Sequence, residues 1–333
     1  MPAAIEESRT PGTHALETLT GRGAPLVLRG LCADWPMVRA AQRSQTEFAK
    51  LLAAHDSGTA VDTLLMPPQA NGRVGYNAAL DGFNYEHFKV SVTDVLQRLA
   101  HYSRREGPAH GVALQSAPIA ACLPGLLATH ALEGLPEGTQ PRLWLGNRVT
   151  TPAHFDAFHN IAVVACGQRR FTVFAPSQVG DLYIGPLDFA PTGAAISIAD
   201  LHAEDARFPR LAQARDAAFV AELGPGDALY LPPLWWHHVE SLEDLNALVN
   251  FWWSSTTSDG RVPSPGLPAL LHARLAFASL PAHERAAWRT LMDHYVFGDR
   301  DPGAHLPQDR RGVLGPLDEA AAAALRRRIA GSL

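Results

Sequence analysis

Cysteine is scarce in this chain, and so is lysine. Three cysteines, Cys32, Cys122 and Cys166, stand far apart and odd in number among 333 residues. They exclude a disulfide framework and a Cys-x-x-Cys zinc site, and they fit a reducing compartment. Lysine occurs only at Lys50 and Lys89, so arginine carries the rest of the positive charge. The balance is acidic, with a net charge of -5 and a pI near 6.3. That argues against a protein built to neutralise a phosphate backbone. The one dense basic run, Arg326–Arg328, closes an expected terminal helix, where cations complement the macrodipole. No basic, apolar leader opens the sequence, and the aliphatic run Ile161–Cys166 is far too short to cross a bilayer. The expectation is a soluble, cytoplasmic protein that engages neither nucleic acid nor membrane.

What is present is a large apolar fraction, 47% of the chain, enough for a sizeable core. No internal repeat or long low-complexity linker divides it. Residues 1–110 mix short strand signals with helices. Pro25–Gly30 reads as a strand, Gln45–Ala54 as a helix with Thr46 as a possible N-cap, and Val92–Tyr102 as a second helix with Val95, Leu96 and Leu99 on one face. From Gly111 to about residue 256 short β-rich runs follow one another: Arg142–Leu145, Ile161–Val164, Phe171–Phe174, Ala228–Leu231 and Ala247–Trp253. Several short strands with turn signals between them predict a β-sandwich or barrel. Residues 257–333 return to helix, with Trp288, Leu291, Met292 and Tyr295 at helical spacing after Pro281 and a last helix over Asp318–Ala330. The fold class is mainly β, a central barrel flanked by N- and C-terminal helices.

Two segments carry chemistry. In Thr151-Pro-Ala-His154-Phe-Asp156, residues i and i+2 of a strand share a face, so an imidazole and a carboxylate can meet one metal. Sites of the facial-triad kind need two histidines and one carboxylate, with the remaining positions open. With 15 histidines in the chain, His-x-acid pairs also arise by chance, and His202-x-Glu204 and His238-x-Glu240 are rivals. The second segment, Gly224–Ser241, launches a strand from a Gly-Asp turn and ends in Trp235-Trp-His237-His238. Adjacent strand residues face opposite ways, so one of His237 and His238 ligates; spacing does not choose between them.

Over Leu143–Pro176 and Gly224–Trp253 these segments resemble the JmjC or cupin-like Fe(II)- and 2-oxoglutarate-dependent oxygenases, in particular the asparaginyl hydroxylases that act on hypoxia-inducible factor. The resemblance implies a double-stranded β-helix (jelly-roll) barrel, with iron on His154, Asp156 and His237, and His238 left to packing. It implies decarboxylation of 2-oxoglutarate to succinate and CO2, coupled to hydroxylation of a protein side chain or a small molecule. It points to Arg169, where these relatives carry lysine, as the cation for the cosubstrate carboxylate. Strand parity agrees, since Arg169 shares a face with Phe171 and Val173, whereas Arg170 pairs with Thr172. Thr151, Asn160 and Asn250 match positions that hold the cosubstrate, and Gln115 one that touches substrate. Ala113 departs from the pattern, standing where the relatives place a tyrosine. Among Trp235, Trp236, Trp252 and Trp253, aromatics of a kind more often found in cores, Trp252 is assigned to the substrate pocket. Relatives dimerise through C-terminal helices, so a homodimer is expected. The rival readings are another metal-dependent cupin enzyme, which needs no Arg169, and a non-catalytic metal-binding scaffold.

Overall fold

The computed structural model describes residues 2–9, 16–104, 107–254 and 266–331. The expected boundary at 256–257 therefore lies outside the described residues. Residues 1–255 form one compact unit and 256–333 a second.

Among the described residues, the first unit is built on fourteen strands. β1 (Ala3–Ala4), β2 (Glu7–Ser8), β3 (Leu26–Leu28), β4 (Val61–Met66), β5 (Glu86–Val90) and β6 (Gly111–Pro118) come first. β7 (Arg142–Gly146), β8 (Thr150–His154), β9 (His159–Cys166) and β10 (Arg169–Phe174) follow. After a long insertion come β11 (Phe219–Leu223), β12 (Ala228–Leu231), β13 (Trp236–Ser241) and β14 (Asn246–Trp253). One sheet runs β1-β11-β10-β13-β8; the other runs β2-β3-β12-β9-β14-β7-β6-β4-β5. From β7 to β14 the chain passes back and forth between two facing sheets, with β10 and β11 consecutive in the smaller one, which is the double-stranded β-helix. Residues 1–110 do more than pack on it, because β2 to β5 extend its larger sheet.

Strand β9 is buried along its whole length, as expected where both faces of a sheet are covered. Its even-numbered face (Ala162, Val164) packs with Leu229, Leu231, Leu248, Phe171 and Val173 inside the barrel. Its odd face (Ile161, Val163, Ala165) packs outward onto Met37, Val38, Phe48, Leu52, Val95 and Leu96. Those outer residues come from helices Pro36–Arg43, Gln45–His55 and Val92–Ser103. The second of these is capped by the Ser44 hydroxyl, which accepts from Glu47 N–H, and not by Thr46. The third begins with a capping box between Ser91 and Asp94. Between β9 and β10, Gly167 sits at φ +73°, and a Cβ there would lie 2.6 Å from the Leu245 carbonyl oxygen. Only glycine fits this turn, which delivers Arg169 to the first position of β10.

The second unit holds helices Gly266–Phe277, Ala282–Met292 and Glu319–Ala330. Ala282–Met292 runs on into a π-turn over Asp293–Phe297, a local widening of the helix. Leu275, Trp288, Leu291, Tyr295 and Phe297 are all exposed.

Candidate functional site

β13 and β8 pair antiparallel, with His237 opposite His154 and Val239 opposite Thr151. Between these pairs one residue of β13, His238, opposes two of β8, a bulge at Pro152–Ala153, where a residue without an N–H costs the ladder nothing. Because of this extra residue both Thr151 and His154 face the barrel interior, although three positions apart. The strand ends at His154, so Asp156 lies in the loop that follows and not on the strand itself. Its backbone carbonyl accepts from Leu234 N–H at 2.8 Å.

Two of the predicted ligands, His154 and Asp156, each lie next to the third, His237. Its ring centroid is 4.1 Å from that of His154, and its Nε2 is 3.7 Å from Asp156 Oδ2. Each imidazole has its other nitrogen committed. His154 Nδ1 donates to the Pro152 carbonyl at 2.9 Å and His237 Nδ1 to the Trp235 carbonyl at 3.1 Å. That tautomer leaves both Nε2 lone pairs free for a metal. Burial, and next to it the neighbouring His154, holds His237 well below the usual imidazole range, so it is neutral at pH 7.

The carboxylate is oriented as well. Asp156 Oδ2 accepts from the Trp252 indole N–H at 3.0 Å and from Asn160 Nδ2 at 3.5 Å. Asn160 Oδ1 in turn accepts from Asn250 at 3.4 Å, and Asn250 Oδ1 accepts from the Trp144 indole at 2.9 Å. One polar chain therefore links Trp144, Asn250, Asn160, Asp156 and Trp252 across the apolar interior. Cross-strand register explains it, since β9 and β14 place Asn160 opposite Trp252 and Ala162 opposite Asn250. Neither Trp144 nor the indole of Trp252 was assigned to this carboxylate from the sequence. The only signal was the shared parity of Asn250 and Trp252.

Arg169 faces the same interior. It lines a cavity with Ala113, Gln115, Trp144, Thr151, Val239 and Ser241. Its Nε is buried without a hydrogen-bond partner among the described residues. Burial pushes its guanidinium down to about 10, with no carboxylate among the described residues offsetting the lost hydration. Arg170 points the other way and is held by Glu222 at 2.7 Å and Glu240 at 3.7 Å. Gln115 stands at the same cavity, its amide 3.4 Å from the Ala113 carbonyl.

The remaining aromatics and histidines lie elsewhere. Trp236 packs on Phe155, and Trp253 stacks on His159, both in the core. Trp235 donates to the Gly23 carbonyl. His238 is buried on the outer side of β13, where burial pushes it down to about 3.

The donor set fits a divalent iron: two imidazoles and one carboxylate, each fixed by a second hydrogen bond. The buried Arg169 guanidinium, its Nε unpartnered among the described residues, fits a carboxylate-bearing cosubstrate. Comparison with known proteins adds the context. The sequence pattern of the Cupin-like domain family matches residues 13–259. Jumonji C domain-containing protein 5 of Drosophila melanogaster is 35% identical over 122 residues, covering 36% of this chain and 29% of that protein. HSPB1-associated protein 1 of Bos taurus is 27% identical over 153 residues, 45% of this chain and 31% of its own. Lysine-specific demethylase JMJ31 of Arabidopsis thaliana is 28% identical over 114 residues, 34% and 20% respectively. The chain thus matches less than a third of the length of each of these relatives.

Proposed function

The chain belongs to the cupin-like domain family, and on that premise we propose that it is an Fe(II)- and 2-oxoglutarate-dependent oxygenase. Iron would be held by His154, Asp156 and His237, and the far carboxylate of 2-oxoglutarate by Arg169 with Thr151, Asn160 and Asn250 nearby. The observation that carries this reading is the pairing of a hydrogen-bonded two-histidine, one-carboxylate set with a buried arginine whose Nε has no partner among the described residues, inside one barrel. When bound, the iron and cosubstrate supply the oxidation, in which O2, 2-oxoglutarate and a C–H bond become CO2, succinate and C–OH.

The chain's own residues do the rest. The Pro152 and Trp235 carbonyls hold each ring in its metal-binding tautomer. Trp252 and Asn160 hold the Asp156 carboxylate in place, so little reorganisation is needed on binding. Phe171, Val173 and Leu248 line the interior with apolar surface and keep water from the reacting carbon. Gln115, at the mouth of the Arg169 cavity, and the half-buried Trp252 are the substrate-facing pair.

The substrate is a protein side chain or a small molecule carrying an accessible C–H bond. Demethylation, the activity in the name of the Arabidopsis relative, begins with the same hydroxylation when the carbon is an N-methyl group. Both outcomes therefore share this site. Exposed Leu275, Trp288, Leu291, Tyr295 and Phe297 supply a second element of the proposal, a homodimer formed through the C-terminal helices. Light scattering should give twice the chain mass, and a chain ending near Ser264 should be monomeric. A full-length monomer at micromolar concentration would refute it. Free, buried Cys32, Cys122 and Cys166 suit a reducing, cytoplasmic setting. Among the described residues no helix is long and apolar enough to cross a membrane.

The enzymatic reading is tested by incubating the iron-loaded protein with 2-oxoglutarate and oxygen. Succinate formation that depends on iron and is lost in His237→Ala supports it. A metal-binding protein that makes no succinate under any of these conditions would favour a different cupin enzyme or a scaffold.

A further inference from the structure

The outer side of β13 carries a second group of metal-ligand side chains, independent of the interior site. His238 and Glu240 share this face, two residues apart, and His202 reaches it from the insertion between β10 and β11. One ligand atom from each of the three lies within 4.8 Å of the other two. His202 Nε2 is 3.0 Å from Glu240 Oε1, and the His202 and His238 ring centroids are 5.9 Å apart.

A plain ion pair between His202 and Glu240 does not account for this arrangement. His238 is 3% exposed, and its Nε2 is buried with no hydrogen-bond partner among the described residues. Glu240 Oε2 is likewise buried without a hydrogen bond. Arg170 gives its Nε and Nη2 to Glu222 at 3.0 and 2.7 Å, and its Nη1 stands 3.7 Å from Glu240 Oε2, an ion pair beyond hydrogen-bond length. A buried ring nitrogen with no partner is rare in native proteins, and a metal ion held jointly with Glu240 would satisfy it. The nearby Arg73 does not fill that role, since it is engaged with the Ala199 carbonyl at 2.7 Å and lies 3.9 Å from Asp200.

We propose that His202, His238 and Glu240 form a second divalent-metal site, of the borderline transition-metal class to which zinc belongs. Two imidazoles and one carboxylate are a common zinc donor set, completed by water. His238 is buried on the outer side of β13, and the exposed His202 already reaches Glu240 at 3.0 Å. Bound metal would tie the 176–216 insertion to β13, the strand that carries His237.

The test begins with a His154→Ala/Asp156→Ala double variant, which disables the interior site and leaves the outer one untouched. Zinc titration against a competing chelator should find one tight equivalent in this background. Adding His202→Ala, or separately Glu240→Gln, should weaken that equivalent at least about 100-fold, more than loss of an outer-shell partner does. Because His202 is exposed, its replacement leaves the fold intact. Zinc should also slow proteolysis within 201–206 in the double variant, and the His202→Ala addition should remove that protection. A double variant that binds no zinc would overturn the proposal. So would an equivalent that is indifferent to both added substitutions, or cleavage that zinc does not change.

Discussion

Arg169 gives the sharpest prediction, because stability and ligand affinity should move apart when it is changed. Its guanidinium is buried, and among the described residues its Nε has no hydrogen-bond partner and its electrostatics include no carboxylate. A buried donor without a partner costs about 1–3 kcal/mol. Arg169→Met keeps most of the stem volume and removes that donor. The free protein should therefore be as stable as the parent or more stable, by up to about 1–3 kcal/mol in urea denaturation. Its affinity for 2-oxoglutarate should fall steeply, because a carboxylate brought into the barrel would meet no cation. Removing one partner of a buried charge pair typically loses about 3–5 kcal/mol. At about 1.4 kcal/mol per tenfold this is roughly two to three orders of magnitude in Kd, read by cosubstrate titration of the Mn(II)-loaded protein. Arg169→Lys should recover part of the affinity. Arg170→Ala should change it little, since Arg170 faces Glu222 and Glu240 on the outer side. An Arg169→Met variant that loses several kcal/mol of stability and keeps its affinity for 2-oxoglutarate would show the arginine to be structural, and the reasoning would fail.

His154→Ala, Asp156→Ala and His237→Ala should each abolish turnover and weaken Mn(II) binding in calorimetry, whereas His238→Ala should retain the equivalent that His154→Ala loses. Trp252→Phe, which removes the indole donor to Asp156 Oδ2, should weaken the same metal about 10- to 100-fold with the fold unchanged. Acidification should destabilise the protein in part through His130. This buried ring donates from Nδ1 to the Leu126 carbonyl at 2.8 Å and accepts at Nε2 from Met37 N–H at 3.3 Å. Burial lowers its pKa, so between that value and about 6.5 the unfolded chain binds the extra proton, and stability falls as pH drops through the window. Urea midpoints measured from pH 7.5 to 5.0 should show a shallower pH slope in His130→Gln; an unchanged slope would remove His130 from the account.

Strand parity made a good deal of the site legible. Cross-strand register places Arg169 opposite Ser241, Phe171 opposite Val239 and Val173 opposite His237, all on the inner face, as the alternation of β10 required. Parity could not choose between His237 and His238, because the choice depends on which side of β13 faces the barrel. Nor could it align Thr151 with His154, which depends on the bulge in β8. Asp156 lies beyond the strand, so its approach to His237 comes from the loop and from Trp252, a long-range contact that no local pattern announces. The same limit applies to the outer group. The spacing of His238 and Glu240 was visible as a rival metal pair, but His202 joins it only through the path of a long insertion. In the N-terminal third, local signals located the strand at Leu26–Leu28 and the two helices, whereas the pairing of β4, β5 and β6 into the large sheet is non-local.

The most direct measurement is an anaerobic titration of the Fe(II)-loaded protein with 2-oxoglutarate, followed in the visible spectrum. The account predicts a weak metal-to-ligand charge-transfer band that saturates at one cosubstrate per chain. His237→Ala should show no band, and Arg169→Ala should need roughly 100-fold or more cosubstrate to reach the same intensity, from the buried-pair cost above. Iron that binds at His154, Asp156 and His237 with no band at any 2-oxoglutarate concentration would contradict it.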